Sequence, residues 1–188
     1  MTGHVPVSTV ARLRREIRVE IGFMTRRALL NVIAGSTFVP RPLRWAIYRC
    51  CGIGVRTMNI FPGLQLSGVP TNLSVETGTF INVGCFIELV APVQIGQDCQ
   101  IGMQVMVITS HHESSEDNRV SRNPVGRPVV IGDRVWIGAR ATILPGVRIA
   151  ADVVIAAGAV VAGDCASPGV YAGVPATLVR PADRKASR

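Results

Sequence analysis

The sequence predicts a mainly β protein, a prism-shaped stack of parallel coils, and three observations lead there. Every sixth residue from Ile131 to Val161 is a bulky aliphatic: Ile131, Ile137, Ile143, Ile149, Ile155 and Val161. A period of six fits neither a helix at 3.6 nor a strand at 2.0. It suits a chain that lays one hexad on each flat face of a triangular prism, with one aliphatic pointing inward. Three hexads then close a coil of about 18 residues, and coils stack at a strand spacing of roughly 4.7–4.9 Å. The second observation is 19 glycines beside only 5% aromatics, which suits tight corners around a thin aliphatic interior. The third is 48% hydrophobic against 17% charged residues in 188, enough to bury a core and unlike a disordered chain.

Taken in order, Val10 to about Ala34 reads as a helix, since Leu13, Ile17, Ile21, Met24, Ala28 and Leu29 recur at helical spacing between arginines. Ser8 or Thr9 can cap its start and Gly35 its end. Pro40 and Pro42 break the pattern, and Leu43 to Cys51 reads as a second helix ending at Gly52. These 56 residues form a basic helical segment ahead of a coil domain over 57–180 and a short tail over 181–188. From Gly54 to Leu73 the repeat is blurred, as terminal repeats often are. It sharpens over 75–80 and 81–86 and continues through Ile87, Val93, Ile95, Ile101 and Val107, with one slip near Ala91-Pro92. Between 110 and 127 it gives way to a polar insertion that reads as a surface loop. At Pro128-Val129-Val130 the strands resume.

Net charge is +8, and the first 56 residues carry all of it: ten arginines stand there against Glu16 and Glu20. Such a segment can serve as a solvated face, as a cap over the open end of a solenoid, or as a peripheral contact with anionic lipid. Nucleic acid is not an expected partner. The five cysteines (50, 51, 85, 99 and 165) are odd in number and form no CxxC pair, which reads as reduced thiols in a cytoplasmic protein. No apolar run approaches a membrane span, and arginines throughout the first 30 residues argue against a secretory signal.

Only His4, His111 and His112 are available as imidazoles. The last two stand where a coil ends and the polar insertion begins, a position suited to proton transfer near neutral pH. A solvated loop histidine is the bland alternative.

The hexads, Phe80-Ile81-Asn82, Thr109-Ser110-His111-His112, Pro128 to Gly132, Val135 to Gly138, and Gly173-Val174-Pro175-Ala176 with Arg180 together resemble the hexapeptide-repeat acyltransferases. The likeness runs from about residue 73 to 180 and is to the maltose/galactoside O-acetyltransferase-like branch. It implies a left-handed parallel β-helix, a homotrimer, and acetyl-CoA as co-substrate in a groove between subunits, with no metal required. It implies an acetyl transfer to a hydroxyl of a sugar or saccharide, with His112 as general base and no acyl-enzyme. Asn82 matches the acceptor-site asparagine. The aspartate usual seven residues later is replaced by Leu89, so Glu88 beside it becomes the candidate, with Glu113 another acid to orient His112. Trp136 matches the tryptophan of the CoA channel, Ala139 and Ala157 the backbone donors to pantetheine and thioester, and Arg180 a basic residue near the nucleotide. The family's lysine after the last hexad is missing, Ala162-Gly163-Asp164 standing there, so Arg180, Arg140 or Arg148 must supply that charge. An amine or a non-sugar alcohol is the alternative acceptor. The rivals from other classes are a metal enzyme of the gamma carbonic anhydrase type, which needs about three imidazoles, and a catalytically inert scaffold.

Overall fold

In the computed structural model, which describes residues 9–114 and 120–182, the hexads wind a parallel β-helix with three flat faces. The first face holds Gly54–Val55, Leu73–Val75, Val93–Ile95, Val129–Ile131 and Arg148–Ile149. The second holds Phe80–Ile81, Gln100–Ile101, Trp136–Ile137, Val153–Ile155 and Gly169–Gly173, and the third holds Gln65–Gly68, Phe86–Leu89, Met106–Val107, Thr142–Ile143 and Val160–Val161. Register sets identical positions above one another. Val75, Ile95, Ile131 and Ile149 form one column, Ile81, Ile101, Ile137 and Ile155 a second, Leu66, Ile87, Val107, Ile143 and Val161 a third. All are buried, so these three columns line the core.

Most corners follow one rule, the exceptions being those before Val75, Ile95 and Ile131, where Asn72, Pro92 and Pro128 stand. The residue three places before the inward aliphatic has a positive φ: glycine at 78, 84, 146 and 158, but Asp98, Gln104, Arg134, Arg140 and Asp152 elsewhere. A left-handed non-glycine residue costs roughly 1–2 kcal/mol, and several of these side chains bond along the corner to the next rung. Arg134 donates to both carboxylate oxygens of Asp152 (2.7 and 2.8 Å), and Arg140 to Gln104 (2.7 Å). The residue two places before the aliphatic is buried as well, at Thr79, Cys85, Cys99, Val105, Val135, Ala141, Val147, Val153 and Ala159. Each hexad therefore gives the interior two side chains, one more than the repeat predicts, because the corner residue turns the short strand and points its successor inward.

The small residue that follows many aliphatics is dictated by rung spacing. A Cβ on Gly132 would stand 2.7 Å from the amide nitrogen of Ala151 in the rung beside it. Gly132→Ala is expected to cost about 1–3 kcal/mol, the usual range for overpacking, whereas Gly158→Asn, at a corner with φ +70° and nothing within 4 Å, meets no clash and should cost only the left-handed backbone penalty, about 1 kcal/mol for a residue that tolerates this region. Denaturant midpoints of the two variants check this.

Two departures from the regular coil position the site. Ile87 and Ile95 stand eight positions apart instead of six, the surplus falling at Val90-Ala91. Ile131 pairs with Ile95 on adjoining rungs although an 18-residue excursion separates their coils. That excursion is not the loop expected for 110–127. Ser110–Ser114 pairs antiparallel with Val120–Gly126, giving a β-hairpin that projects from the corner after the third face.

At the first coil, helix α1 (Thr9–Arg27) passes into a wider π-helical turn over Ala28–Ile33, so the regular helix ends earlier than the spacing predicts. Helix α2 spans Arg41–Cys50. The cap is fastened by side chains. The Asn31 amide donates to the Leu66 carbonyl and accepts from its N–H, both at 2.9 Å, as another strand would. Arg44, one of the arginines that reads as surface charge, is only 2% exposed and donates to four backbone carbonyls. At the other end Ala176–Pro181 folds back antiparallel on Gly169–Gly173, so the chain closes with a hairpin where a continuing coil is predicted up to residue 180. Among the described residues, no helix is long and apolar enough to cross a membrane. His4, Ser8, and the tail beyond 182 lie outside the described residues.

Candidate active site

The second face carries a groove along the prism axis. Side chains that alternate outward from its strands are Phe80, Gln100, Trp136 and Val154, stacked rung on rung. Trp136 is 57% exposed, so it is not a structural core aromatic. It lines a cavity of about 410 Å³ with Asn82, Gln100, Met103, Ala139 and Ala157. Four of the residues singled out from the sequence thus meet in one place. Arg180 pairs with Val170 on the same face, and its own cavity of about 350 Å³ shares Val154 with the first. The face from Phe80 to Val170 spans four strand spacings, roughly 19 Å at about 4.8 Å each.

Three amides in this groove, those of Met103, Ala139 and Ala157, stand apart from the ladder. Gly138, Arg140, Ala156 and Gly158 all give their N–H groups to neighbouring rungs. Among the described residues, the N–H groups of Met103, Ala139 and Ala157 make no such bond. Asn82 turns its Oδ1 onto the N–H of Val83 (2.8 Å), which fixes the corner and holds its amide at the groove wall. Of the alternative basic residues, Arg140 is tied to Gln104 and lines a separate cavity with Thr37, while Arg148 lies on the first face. Asp164, where the lysine is missing, accepts from the Arg148 N–H at 2.8 Å. Arg180 is the cation that shares the groove's face.

The histidine hairpin is anchored by a knot at its base. The Glu88 carboxylate accepts from the N–H of Thr109 (2.9 Å), the N–H of Ser110 (2.8 Å) and the Ser110 hydroxyl (2.9 Å). The buried Thr109 hydroxyl donates to the Glu88 carbonyl and accepts from the N–H groups of Val90 and Ala91, the two surplus residues of the slip. Glu88 therefore sits beneath the hairpin, where it positions the segment that carries both histidines.

On the hairpin, His112 Nδ1 lies 2.7 Å from the carbonyl of Ser121, and His111 Nδ1 lies 3.0 Å from that of Val125. A carbonyl only accepts, so Nδ1 carries the proton in each neutral ring and Nε2 keeps its lone pair. The two rings differ in access. His111 Nε2 is buried without a partner, whereas the His112 ring is exposed. The backbone of the return strand, in place of Glu88 or Glu113, meets the His112 Nδ1. The sequence carries no signal for Ser121, since any residue there offers a carbonyl.

Asn82 and His112 occupy the two corners that bound the third face, Asn82 after Ile81 and His112 after Val107. One prism does not bring them together. The three buried thiols, Cys85, Cys99 and Cys165, are pushed up in pKa by burial, that of Cys165 to about 11. None of the three is poised as a nucleophile.

Residues 128–163 match the family described as bacterial transferase hexapeptide (six repeats). Nodulation protein L of Rhizobium meliloti (strain 1021) is 42% identical over 76 residues, 40% of this chain and 42% of that protein, so the match spans about two-fifths of this curated relative. A hexapeptide-repeat containing acetyltransferase from Vibrio cholerae superposes with a TM-score of 0.73 at 27% identity, over 84% of this chain and 91% of that one. A galactoside acetyltransferase in complex with coenzyme A gives 0.73 at 25% identity, over 85% and 80%. With its repeats matched over residues 128–163 and its fold shared, the chain is similar to the hexapeptide-repeat acetyltransferases.

Proposed function

We propose that this chain is a CoA-dependent O-acetyltransferase that moves an acetyl group from acetyl-CoA to a hydroxyl of a saccharide acceptor. The observation that carries this reading is the second-face groove, where an exposed Trp136, unengaged amides and Arg180 lie in line over a length suited to an extended thin ligand. The indole packs against pantetheine, the Ala139 and Ala157 amides meet its carbonyls and the thioester oxygen, and Arg180 meets phosphate. A galactoside acetyltransferase of the same fold holds coenzyme A, and a curated relative from Escherichia coli (strain K12), 34% identical over 109 residues, is named for O-acetyl transfer in lipopolysaccharide biosynthesis.

The reaction needs one base and one oxyanion donor. His112 Nε2 takes the proton from the acceptor hydroxyl as that oxygen attacks the thioester carbon. The tetrahedral oxyanion forms beside a backbone N–H, a contact worth roughly 2.7–4 kcal/mol in enzymes that use one. The C–S bond then breaks and the imidazolium returns its proton to the departing thiolate of CoA. Asn82 holds the acceptor, donating and accepting with one amide. Because Asn82 and His112 sit on different corners, the working unit is a homotrimer whose adjacent prisms place one chain's hairpin over the next chain's groove.

Trp136→Ala tests the groove. The side chain is exposed, so folding should be unaffected, and the acetyl-CoA Kd should rise about tenfold or more, ~1.4 kcal/mol. Titration calorimetry reads it directly; an unchanged Kd moves the CoA site elsewhere.

A further inference from the structure

We infer that helix α1 docks this protein on the surface of an anionic lipid bilayer, through a stripe that the fold leaves uncovered. Leu13, Ile17, Ile21 and Met24 recur every three or four residues, so they share one side of the helix. All four are about half exposed or more (49–61%). The stripe does not face the body. Across a slot of about 300 Å³ the body's Leu66, Gly68 and Pro70 look instead at Val19, Gly22, Phe23 and Arg26, which occupy other positions of the helical wheel. Leu13, Ile17, Ile21 and Met24 therefore lie on the side of the helix away from the slot, and the helix holds them outward.

Charge decides what covers the stripe. Helix α1 carries arginines at 12, 14, 15, 18, 26 and 27 against Glu16 and Glu20, and the Arg12–Glu16 pair (3.0 Å) uses one of these. Arg14 and Arg18 flank the stripe on one side. Glu16 and Glu20 lie on its other side, but six arginines against two glutamates leave the helix a net cation, which repels a second copy and is complementary to anionic headgroups. The length and character fit a helix lying in the plane of the interface: apolar side toward the acyl chains, arginines at phosphate depth, and no segment that crosses. The remainder of the chain beyond residue 56 is neutral overall, so the attraction acts at this end alone and leaves the groove and hairpin in water.

The experiment uses the full chain with sedimented vesicles of phosphatidylcholine alone and of phosphatidylcholine mixed with phosphatidylglycerol, at low and high salt. The wild type should partition onto the mixed vesicles only, and less at high salt, by roughly fivefold per arginine screened. The Ile17→Asp, Ile21→Asp double variant and the Arg14→Glu, Arg18→Glu double variant should each lose tenfold or more of that binding with unchanged thermal unfolding. Equal binding to neutral vesicles, salt-independent binding, or either variant binding like the wild type overturns the proposal. So does a change in oligomeric state on introducing the two aspartates, which would make the stripe an interface between copies. Glycerophosphate as a free headgroup should compete weakly; full displacement by it would mean a soluble phosphate site in place of a bilayer.

Discussion

His112→Ala should lower turnover by ~10²–10⁴ while leaving the fold and acetyl-CoA affinity intact. The ring stands on an exposed hairpin, so nothing in the core depends on it. Its Nδ1–H is committed to the Ser121 carbonyl at 2.7 Å, which leaves Nε2 as the basic nitrogen and points it away from the return strand. His111→Ala is the matched comparison. That ring makes the same kind of contact at Val125, but its Nε2 is buried and can meet no acceptor, so a loss of turnover there should be much smaller. Release of CoA thiol under saturating acceptor measures both. If the active site spans two subunits, mixing His112→Ala chains with Asn82→Ala chains should restore up to about a quarter of wild-type turnover, since about one interface in four pairs an intact His112 with an intact Asn82. Near-normal turnover in His112→Ala removes it as the base, and absence of rescue puts Asn82 and His112 in one subunit's site.

The prism was legible because its signal is local and repeated: one aliphatic every six residues sets both the register and the core columns. Other features were not, for identifiable reasons. Asp98, Gln104, Arg134, Arg140 and Asp152 turn corners without glycine, so composition alone hides half the corners. Cys85 and Cys99 read as ordinary apolar residues, yet they fill the second inward position that the hexad count overlooks. The hairpin strands Ser110–Ser114 and Val120–Gly126 lack apolar alternation, because they meet the body only at their base, through Ser110, His111 and Gly126. Trp136, Ala139, Ala157 and Asn82 could be gathered from motif resemblance, and their meeting in one cavity follows from stacked rungs. Glu88 could not be placed that way. Its carboxylate acts on Thr109 and Ser110, 21 and 22 residues on, and only the extra residues at Val90-Ala91 make that reach necessary.

Arg44→Met should be among the most destabilising single changes in the chain. A planar guanidinium there makes four donations, from Nε to Ala34 (2.6 Å) and from its two terminal nitrogens to Ile60, Ser36 and Val39 (2.8 Å each). Three of these carbonyls belong to the link between the helices and the fourth to the first coil, so one side chain ties cap to prism. Burial lowers the Arg44 pKa from its usual value, but the group stays charged, and the carbonyl oxygens supply the compensation. Beside it the buried Tyr48 phenol is pushed up to about 12, mainly by loss of solvent. Methionine fills much of the volume yet returns four carbonyls to a dry site, at roughly 1 kcal/mol or more each, so the expected loss is about 3–5 kcal/mol. That corresponds to a fall of roughly 6–20 °C in Tm for a chain of this size. Arg44→Lys should recover only part, because a point ammonium cannot serve four acceptors in a plane. Thermal unfolding separates the outcomes: a drop under about 2 °C for methionine would mean that water reaches those carbonyls and the cap is held by its apolar contacts instead. With the cap loosened, the edge strands of the first coil lose their cover, so the variant should also aggregate below its own Tm while the wild type does not.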